Sequence, residues 1–248
     1  MGNQINICYD NNVSYVGQIK KNKYHGNGTI YYNETGNLYK GQFKEGLKHG
    51  IGEFQFYNGD KYIGNFYQDE IHGNGKYILT NGYIYEGDFT IGSMLGKGQM
   101  YDVNNELIYD GEFLNSLPHG FGISYINKQI EYIGNWNQNF YNGYGILFNK
   151  NSYKYGLFKE GELIEKIEQI PMKFMKYINK NKKELYDSNI NLSKYITANN
   201  NPVYGVIKEQ FINPESSTTP LEINLSSCHN KKNNIPVIKS VFNPLNVR

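Results

Sequence analysis

Through most of the first 161 residues apolar and polar positions alternate in short runs, such as Tyr39-Lys-Gly-Gln-Phe43 and Gly50-Ile-Gly-Glu-Phe54, separated by turn-forming residues. A period of two predicts β-strands, because successive side chains on a strand point to opposite faces of a sheet. The runs also recur. Tyr-x-Gly stands at Tyr15/Gly17, Tyr39/Gly41, Tyr62/Gly64, Tyr85/Gly87, Tyr109/Gly111 and Tyr132/Gly134, a spacing of 23 or 24 residues. Nine residues after each of these glycines comes Gly-x-Gly, at Gly26/Gly28, Gly50/Gly52, Gly73/Gly75, Gly96/Gly98, Gly120/Gly122 and Gly143/Gly145. Two positions beyond each Tyr-x-Gly glycine lies a large apolar residue: Ile19, Phe43, Phe66, Phe89, Phe113 and Trp136. A seventh, incomplete unit is expected at Gly156-Leu-Phe158, with Lys154 in the tyrosine position.

The constant nine-residue interval predicts a hairpin tip in every unit, and Asn58-Gly59 and Asn81-Gly82 predict the second turn that leads to the next unit. Glycine weakens a strand unless its missing side chain is needed. Here every repeat glycine falls on the face crowded with rings, so rings laid over glycine backbone are expected. The fold class expected is all-β: an elongated, open, single-layer antiparallel meander of six to seven hairpins, with a C-terminal helix and an extended tail. The array would span residues 15–161, in units 15–38, 39–61, 62–84, 85–108, 109–131, 132–153 and a partial 154–161. Residues 1–14 would be a lead-in and 162–248 a C-terminal extension. Twelve strands and a partial thirteenth, at ~4.8 Å each, make a ribbon roughly 60 Å long.

These residues resemble the MORN repeat (membrane occupation and recognition nexus), whose pattern is Y-x-G-x-[F/W] followed by G-x-G, and the resemblance covers about Tyr15 to Gly161. It implies an open antiparallel sheet acting as a docking or scaffold surface at membranes or the cytoskeleton, without catalytic activity. MORN arrays precede catalytic domains in some phosphoinositide kinases and lysine methyltransferases. The 87 residues after Gly161 are too few for such a kinase, and Ser226-Ser-Cys-His-Asn230 does not match the methyltransferases' Asn-His-Ser-Cys type of motif. A non-enzyme with no cofactor is expected, with a regulatory subunit of a separately encoded enzyme as an alternative. Leu157-Phe158 to Leu163 is similar to the end of a MORN array that binds a myosin tail, so a cytoskeletal or motor segment is one expected partner.

Composition narrows the reading. Of 27 glycines only Gly205 lies beyond residue 161, which sets the boundary between array and extension. Mean hydropathy is −0.64 and no run of about 18 apolar residues exists, so no membrane span is expected. The start, Met1-Gly-Asn-Gln-Ile-Asn6, has no basic segment leading into an apolar run, so an intracellular, cytoplasmic protein is expected, peripheral at a membrane or cytoskeletal structure. A net charge of +2 gives no reason to expect nucleic acid. Cys8 and Cys228 offer neither a disulfide framework nor a metal pair.

Four sets of residues are candidates for contact. The ring-lined glycine face suggests a shallow partner groove of Tyr39, Phe43, Tyr62, Phe66, Tyr85, Phe89, Tyr109, Phe113, Tyr132 and Trp136, rings that the sheet also needs for its own packing. The opposite face starts polar (Lys40, Gln42, Lys44, Glu53, Gln55) and turns apolar in the late units, at Phe121, Ile123, Tyr125, Ile133, Tyr144, Ile146 and Phe148. Such a patch is seldom left bare; the chain's own tail, a homodimer or an external ligand would cover it. Lys20, Lys21, Lys23, Lys44 and Lys48 gather at the first two tips, as solvated loops or as contacts for anionic lipid headgroups. A helix over about 171–187, with Met172, Met175, Ile178 and Leu185 at helical intervals, adds Lys173, Lys176, Lys180, Lys182 and Lys183. Residues 62–161 carry 10 acids and 6 lysines, net −4, while residues 162–248 carry 12 bases and 8 acids, net +4, which favours folding back of the tail. Gly2 and Cys8 are candidate acylation positions, although Asn6 stands where the myristoylation pattern wants Ser or Thr. The Pro-containing segment 199–248 reads as irregular.

Other chemistry is not supported. His25, His49, His72 and His119 precede repeat glycines, but equivalent positions two strands apart lie ~9.6 Å from each other, too far to share a zinc ion at ~2.0–2.1 Å. A turn preference explains them instead. The Gly-x-Gly pairs open no helix after a strand, so they are no nucleotide fingerprint.

Overall fold

The period-two runs form strands joined only by turns, because no connection is long enough to cross over a neighbour. The computed structural model describes residues 6–9, 12–149 and 152–182, the first four by backbone alone. The strands are β1 (Asn6–Tyr9), β2 (Val13–Lys20), β3 (Lys23–Tyr32), β4 (Leu38–Lys44), β5 (Leu47–Gln55), β6 (Lys61–Tyr67), β7 (Glu70–Ile78) and β8 (Ile84–Thr90). Then come β9 (Ser93–Tyr101), β10 (Leu107–Leu114), β11 (Leu117–Ile126), β12 (Gln129–Asn137), β13 (Phe140–Asn149), β14 (Ser152–Lys159) and β15 (Glu162–Ile167), with the helix α1 (Met172–Lys182) last. Among the described residues these fifteen strands make one sheet in sequence order, each pairing antiparallel with the next. The fold is the expected open antiparallel meander.

Two features exceed the expected thirteen strands. β1 pairs with β2 ahead of the first tyrosine. The seventh unit, expected to be partial, closes as the hairpin β14–β15. It lacks the repeat tyrosine, but Phe158 faces Leu163 across the pair and Glu160-Gly161 makes the turn with φ of 50° and 84°. Two residues at positive φ are the type I′ geometry whose twist matches a hairpin. The other tips use the same device, at Lys21-Asn22, Glu45-Gly46, Gln68-Asp69, Ile91-Gly92, Asn115-Ser116 and Gln138-Asn139.

The repeat glycines divide into two kinds, which corrects the expectation that all lie under rings. The Tyr-x-Gly glycine and the second glycine of Gly-x-Gly face each other across a hairpin, as Gly41 does Gly52. The tyrosine of the same strand lies over both. A Cβ on Gly41 would come within 2.5 Å of the Gly52 Cα and of the Tyr39 Oη, and a Cβ on Gly52 would run into the Tyr39 ring. The first glycine of Gly-x-Gly is needed for its backbone instead. Gly26, Gly50, Gly73, Gly96, Gly120 and Gly143 have φ between 63° and 97°, where a side chain is strained. Beside them the hairpin register shifts, for example between Gly41 and Phe43. The side chain that follows the Tyr-x-Gly glycine reaches across this bulge from the outer face. Gln18 Oε1 accepts from Asn27 N–H at 3.1 Å, Gln42 Oε1 from Ile51 N–H at 3.1 Å, and Asp88 Oδ2 from Lys97 N–H at 3.2 Å.

On the ring face the tyrosines and phenylalanines form one continuous core cluster from Tyr15 to Phe158. From Tyr39 to Tyr132 each tyrosine meets the aromatic residue of its own strand edge to face, as at Tyr39–Phe43 (5.1 Å) and Tyr85–Phe89 (5.1 Å); Tyr15 has Ile19 there. Each tyrosine also meets the ring of the next unit, at Tyr15–Phe43 (5.3 Å), Tyr39–Phe66 (4.9 Å), Tyr62–Phe89 (5.1 Å), Tyr85–Phe113 (4.9 Å), Tyr109–Trp136 (5.1 Å) and Tyr132–Phe158 (5.2 Å). Such pairs contribute about 0.5–1.5 kcal/mol beyond burial. The phenol closes the unit by donating to the carbonyl three residues on, Tyr39 to Gln42 at 2.8 Å and Tyr109 to Glu112 at 3.0 Å.

Gly87→Val should lower stability by about 3 kcal/mol or more, since a Cβ there meets the Gly98 Cα at 2.5 Å and the Tyr85 Oη at 2.6 Å. Gly36→Asn, at φ 74° with its nearest neighbour atom 3.8 Å from the added Cβ, should change it by less than about 0.5 kcal/mol. Urea unfolding followed by circular dichroism compares the two, and equal midpoints for wild type and Gly87→Val would refute ring-over-glycine packing.

Candidate interaction surfaces

Burial decides which of the sequence candidates remain surface. The ten rings expected to line a partner groove do not: Tyr39, Tyr62, Tyr85, Tyr109 and Tyr132 are 0% exposed, and Phe43, Phe66, Phe89, Phe113 and Trp136 are at most 4% exposed. The reason is mutual coverage, because each tyrosine ring lies between its hairpin's two facing glycines and the ring of the next unit, which it covers in turn. Desolvation accordingly raises the phenol pKa of Tyr39, Tyr62, Tyr109 and Tyr132 well above the ordinary tyrosine value.

The late apolar patch lies on the outer face, opposite the rings, and α1 sits on it. Phe121, Ile123, Ile133 and Ile146 are buried in one cluster with Phe174 and Ile178 of α1, and Tyr125, Tyr144 and Phe148 pack around them. Phe121 meets Tyr177 edge to face at 5.6 Å, Tyr155 meets Phe174 at 4.9 Å, and the Tyr177 phenol donates to Asn135 Oδ1 at 2.6 Å. Asn135 holds the place in its unit that Gln18 and Gln42 hold in theirs, so a bulge-spanning position here fastens a helix. Of the helix lysines, Lys173, Lys176 and Lys180 are exposed and Lys182 is half-buried. Lys183, the rest of the helix expected to 187, the tail 199–248 and Gly2 lie outside the described residues, as does the side chain of Cys8.

Lys20, Lys21, Lys23 and Lys44 are exposed at the first two tips. Lys48, grouped with them from sequence, is not: it is 1% exposed on the ring face. Its ammonium lies 3.3 Å from Asp69 Oδ1 and 3.1 Å from the Tyr32 hydroxyl, over the Tyr32 and Phe54 rings at 5.5 and 5.8 Å. Lys48 faces Phe43 where Ile71 and Met94 face Phe66 and Phe89, so the second unit carries a charge at an apolar position. Asp69 also joins tip to tip. Its N–H donates to Lys48 O at 3.0 Å and its Oδ1 accepts from Lys48 N–H at 2.8 Å. Gly46, Gly92, Ser116, Asn139 and Gly161 donate likewise to Tyr24, Ile71, Met94, Pro118 and Tyr141. This second ladder runs along the tip edge and fixes the spacing of the tips.

The link edge has its own bridges. Asn37 and Asp60, both buried, accept from the N–H of the following link, at Tyr57 (2.9 Å) and Thr80 (2.8 Å). Burial alone would raise the Asp60 carboxyl; hydrogen bonds from the Thr80 hydroxyl and N–H, Asn58 and Tyr77 outweigh it and hold the carboxyl below the ordinary range.

Sequence reasoning missed one set of residues. Leu47, Tyr67, Ile91, Leu95 and Leu114, all at or next to hairpin tips, are 37–63% exposed. The Tyr67 ring stands 5.5 Å from that of His49 and 6.1 Å from that of His72. These histidines lie within β5 and β7, which corrects the turn preference given for them. The signal lay in the residues flanking each two-residue turn, once the turn was located. Among the described residues no group of three His, Cys, Asp or Glu is placed to hold a metal ion.

A single-layer array in which each hairpin meets only its neighbours defines a repeat protein of the solenoid kind. The chain belongs to the MORN repeat proteins: the MORN repeat model matches residues 15–34, 39–61, 62–82, 109–127 and 132–152. The unit between, 85–108, lies outside those matches yet keeps Tyr85 over Gly87 and Gly98. No curated protein matches the chain. The family is generally non-catalytic, and its arrays serve as scaffolds that bind proteins or lipids. No described helix is long and apolar enough to cross a membrane.

Because burial raises these phenols, they stay neutral in the fold while unfolded tyrosine ionises near pH 10. The stability they contribute is present below about pH 10 and lost as pH rises above it. The part of the 295 nm tyrosinate absorbance that these buried phenols contribute should therefore appear together with loss of the sheet, as a cooperative step above the rise given by surface tyrosines; a titration with no step at the unfolding transition would contradict the burial. Asp69→Asn, which keeps an Oδ1 acceptor for the Lys48 N–H and tolerates the φ of 73°, should cost about 2–4 kcal/mol by leaving the Lys48 ammonium without its carboxylate. Lys48→Met in that background should restore most of it, as read from urea midpoints.

Proposed function

We propose that this chain is a non-catalytic adaptor that docks a protein partner, a cytoskeletal or motor segment, near the cytoplasmic face of a membrane. The observation that carries this reading is the division of the two faces. The ring face is consumed by packing, whereas the outer face from β2 to β10 keeps large apolar side chains exposed, among them Val16 (44%), Ile51 (65%) and Tyr67 (54%). A single exposed apolar side chain is ordinary on a protein surface, but a row of them along one face favours a protein surface as ligand. Cross-linking of the full chain in extract of its own cells, read by mass spectrometry, should return one partner whose cross-links fall on the outer face of β2–β10. Cross-links confined to the ring face or to α1 would contradict it.

A second reading, binding of anionic phospholipid, is favoured by the exposed Lys20, Lys21, Lys23 and Lys44 at one end and Lys173, Lys176 and Lys180 on α1. Each lysine near a charged bilayer contributes about 1 kcal/mol, falling off within a Debye length. On the adaptor reading the full chain pellets with phosphatidylserine and phosphoinositide vesicles at low salt and stays in the supernatant at physiological salt. Pelleting at physiological salt, abolished by Lys→Glu at the first two tips, would establish the lipid reading in its place.

A further inference from the structure

The outer face already seats one amphipathic helix, α1, over β11–β14, and among the described residues no other element packs on the same face toward the N-terminus. Its margin along the hairpin tips carries Leu47, Tyr67, Ile91, Leu95 and Leu114, between 37% and 63% exposed. Ile91 is unlike the other residues at the first position of a tip turn. Lys21, Glu45, Gln68, Asn115, Gln138 and Glu160 occupy that place, all unbranched at Cβ. Ile91 sits there at φ 47°, in a region a β-branched side chain enters only with strain, and it is 63% exposed, so packing returns little. The fold therefore loses stability at Ile91, and a strained, exposed apolar side chain points to a contact outside the fold.

The spacing of the margin limits what fits it. Successive tips are two strands apart, ~9.6 Å, and seven residues of α-helix rise ~10.5 Å. A helix laid across the strands thus brings one residue per heptad to each of Tyr67, Ile91 and Leu114. Toward the N-terminus the margin turns basic, with Lys20, Lys21, Lys23 and Lys44 exposed beside the single exposed acid Glu45. We propose that the tip margin of the outer face binds an amphipathic helix of a partner protein, with apolar residues at heptad spacing over Tyr67, Ile91 and Leu114 and acidic residues over the first two tips. The proposal rests on the adaptor reading and names its site and ligand chemistry; it extends to the earlier units the use that the last units make of the same face for α1.

The test titrates isotope-labelled full chain with a designed 21-residue helical peptide that carries leucine at heptad spacing and glutamates at one end. A charge-reversed version and a proline-broken version serve as comparisons. Saturable amide shifts at residues 67, 91, 95 and 114 are expected with the acidic helix, about tenfold weaker binding with lysines in place of the glutamates, and none with the broken helix. Ile91→Asn separates binding from folding: it should raise the melting temperature, because asparagine tolerates this φ, while weakening peptide binding about tenfold. No saturable shift, or shifts confined to α1 and its seat, would overturn the proposal. Saturation elsewhere on the array would overturn this site while leaving the adaptor reading, which the cross-linking experiment tests on its own.

Discussion

One contact organises the molecule: a tyrosine ring laid flat on a pair of facing glycines. It allows a single sheet layer to have a core at all. An open sheet normally buries one face against a second layer, and among the described residues no second layer covers most of this sheet. By removing Cβ atoms at Gly41 and Gly52, the sequence makes room for the Tyr39 ring within the thickness of the sheet itself, where the next unit's phenylalanine can cover its edge. Each unit thus supplies half of its neighbour's core. Stability then accumulates along the chain through nearest-neighbour contacts, and the two hydrogen-bond ladders, tip to tip and link to link, hold the units at the spacing the rings require.

The pattern fails at the C-terminal end, and the molecule changes architecture there. In the seventh unit Lys154 replaces the tyrosine, so Gly156 has no ring above it; a Cβ there would instead meet Glu165 backbone and Leu163. A second core forms on the other side of the sheet. Ile123, Ile133, Ile146 and Tyr155 are buried on the outer face, where earlier units have Lys40, Glu53, Ile63 and Lys76 at the matching places, and α1 supplies the second layer. Two buried layers at one end and one at the other give the array a closed end and an open one.

The repeat length, the strand order and the ring-over-glycine packing were legible in the sequence because each follows from spacing alone. What escaped was whatever depends on φ. Gly50 and Gly52 look equivalent in a Gly-x-Gly pair, yet one is there for its backbone and the other for its missing side chain, and only the register shift beside Phe43 tells them apart. The ring groove was misjudged for a related reason. Alternation assigns Tyr39 and Phe43 to one face correctly, but it cannot say that ring edges from consecutive units close over each other. Lys48 was placed with the tip lysines because it lies near them in sequence; one residue of strand phase separates its buried side chain from the exposed Leu47. The late apolar patch could be read because seven large residues at alternate positions exceed what a solvated face carries.

The two faces also differ in how freely they can vary, and that bears on where recognition is located. On the ring face a change at any tyrosine or glycine disturbs two units at once, so partner specificity placed there would compete with folding. The outer face of the early and middle units is under no such constraint. Leu47, Tyr67, Ile91 and Leu114, exposed beside the tips, belong to neither core cluster, and the backbone N–H and C=O bonds of the tip ladder recur from the second tip onward, which leaves these side chains open to any chemistry. Lysines at the first tip, tyrosine at the third and isoleucine at the fourth are therefore choices the fold does not dictate. The strained Ile91 goes further, since the fold would be better served by asparagine or glycine at that position. A side chain that costs stability and adds no packing is the feature of this surface that folding alone does not explain, and it sits on the face and edge where an added helix would meet the array without disturbing a single repeat contact.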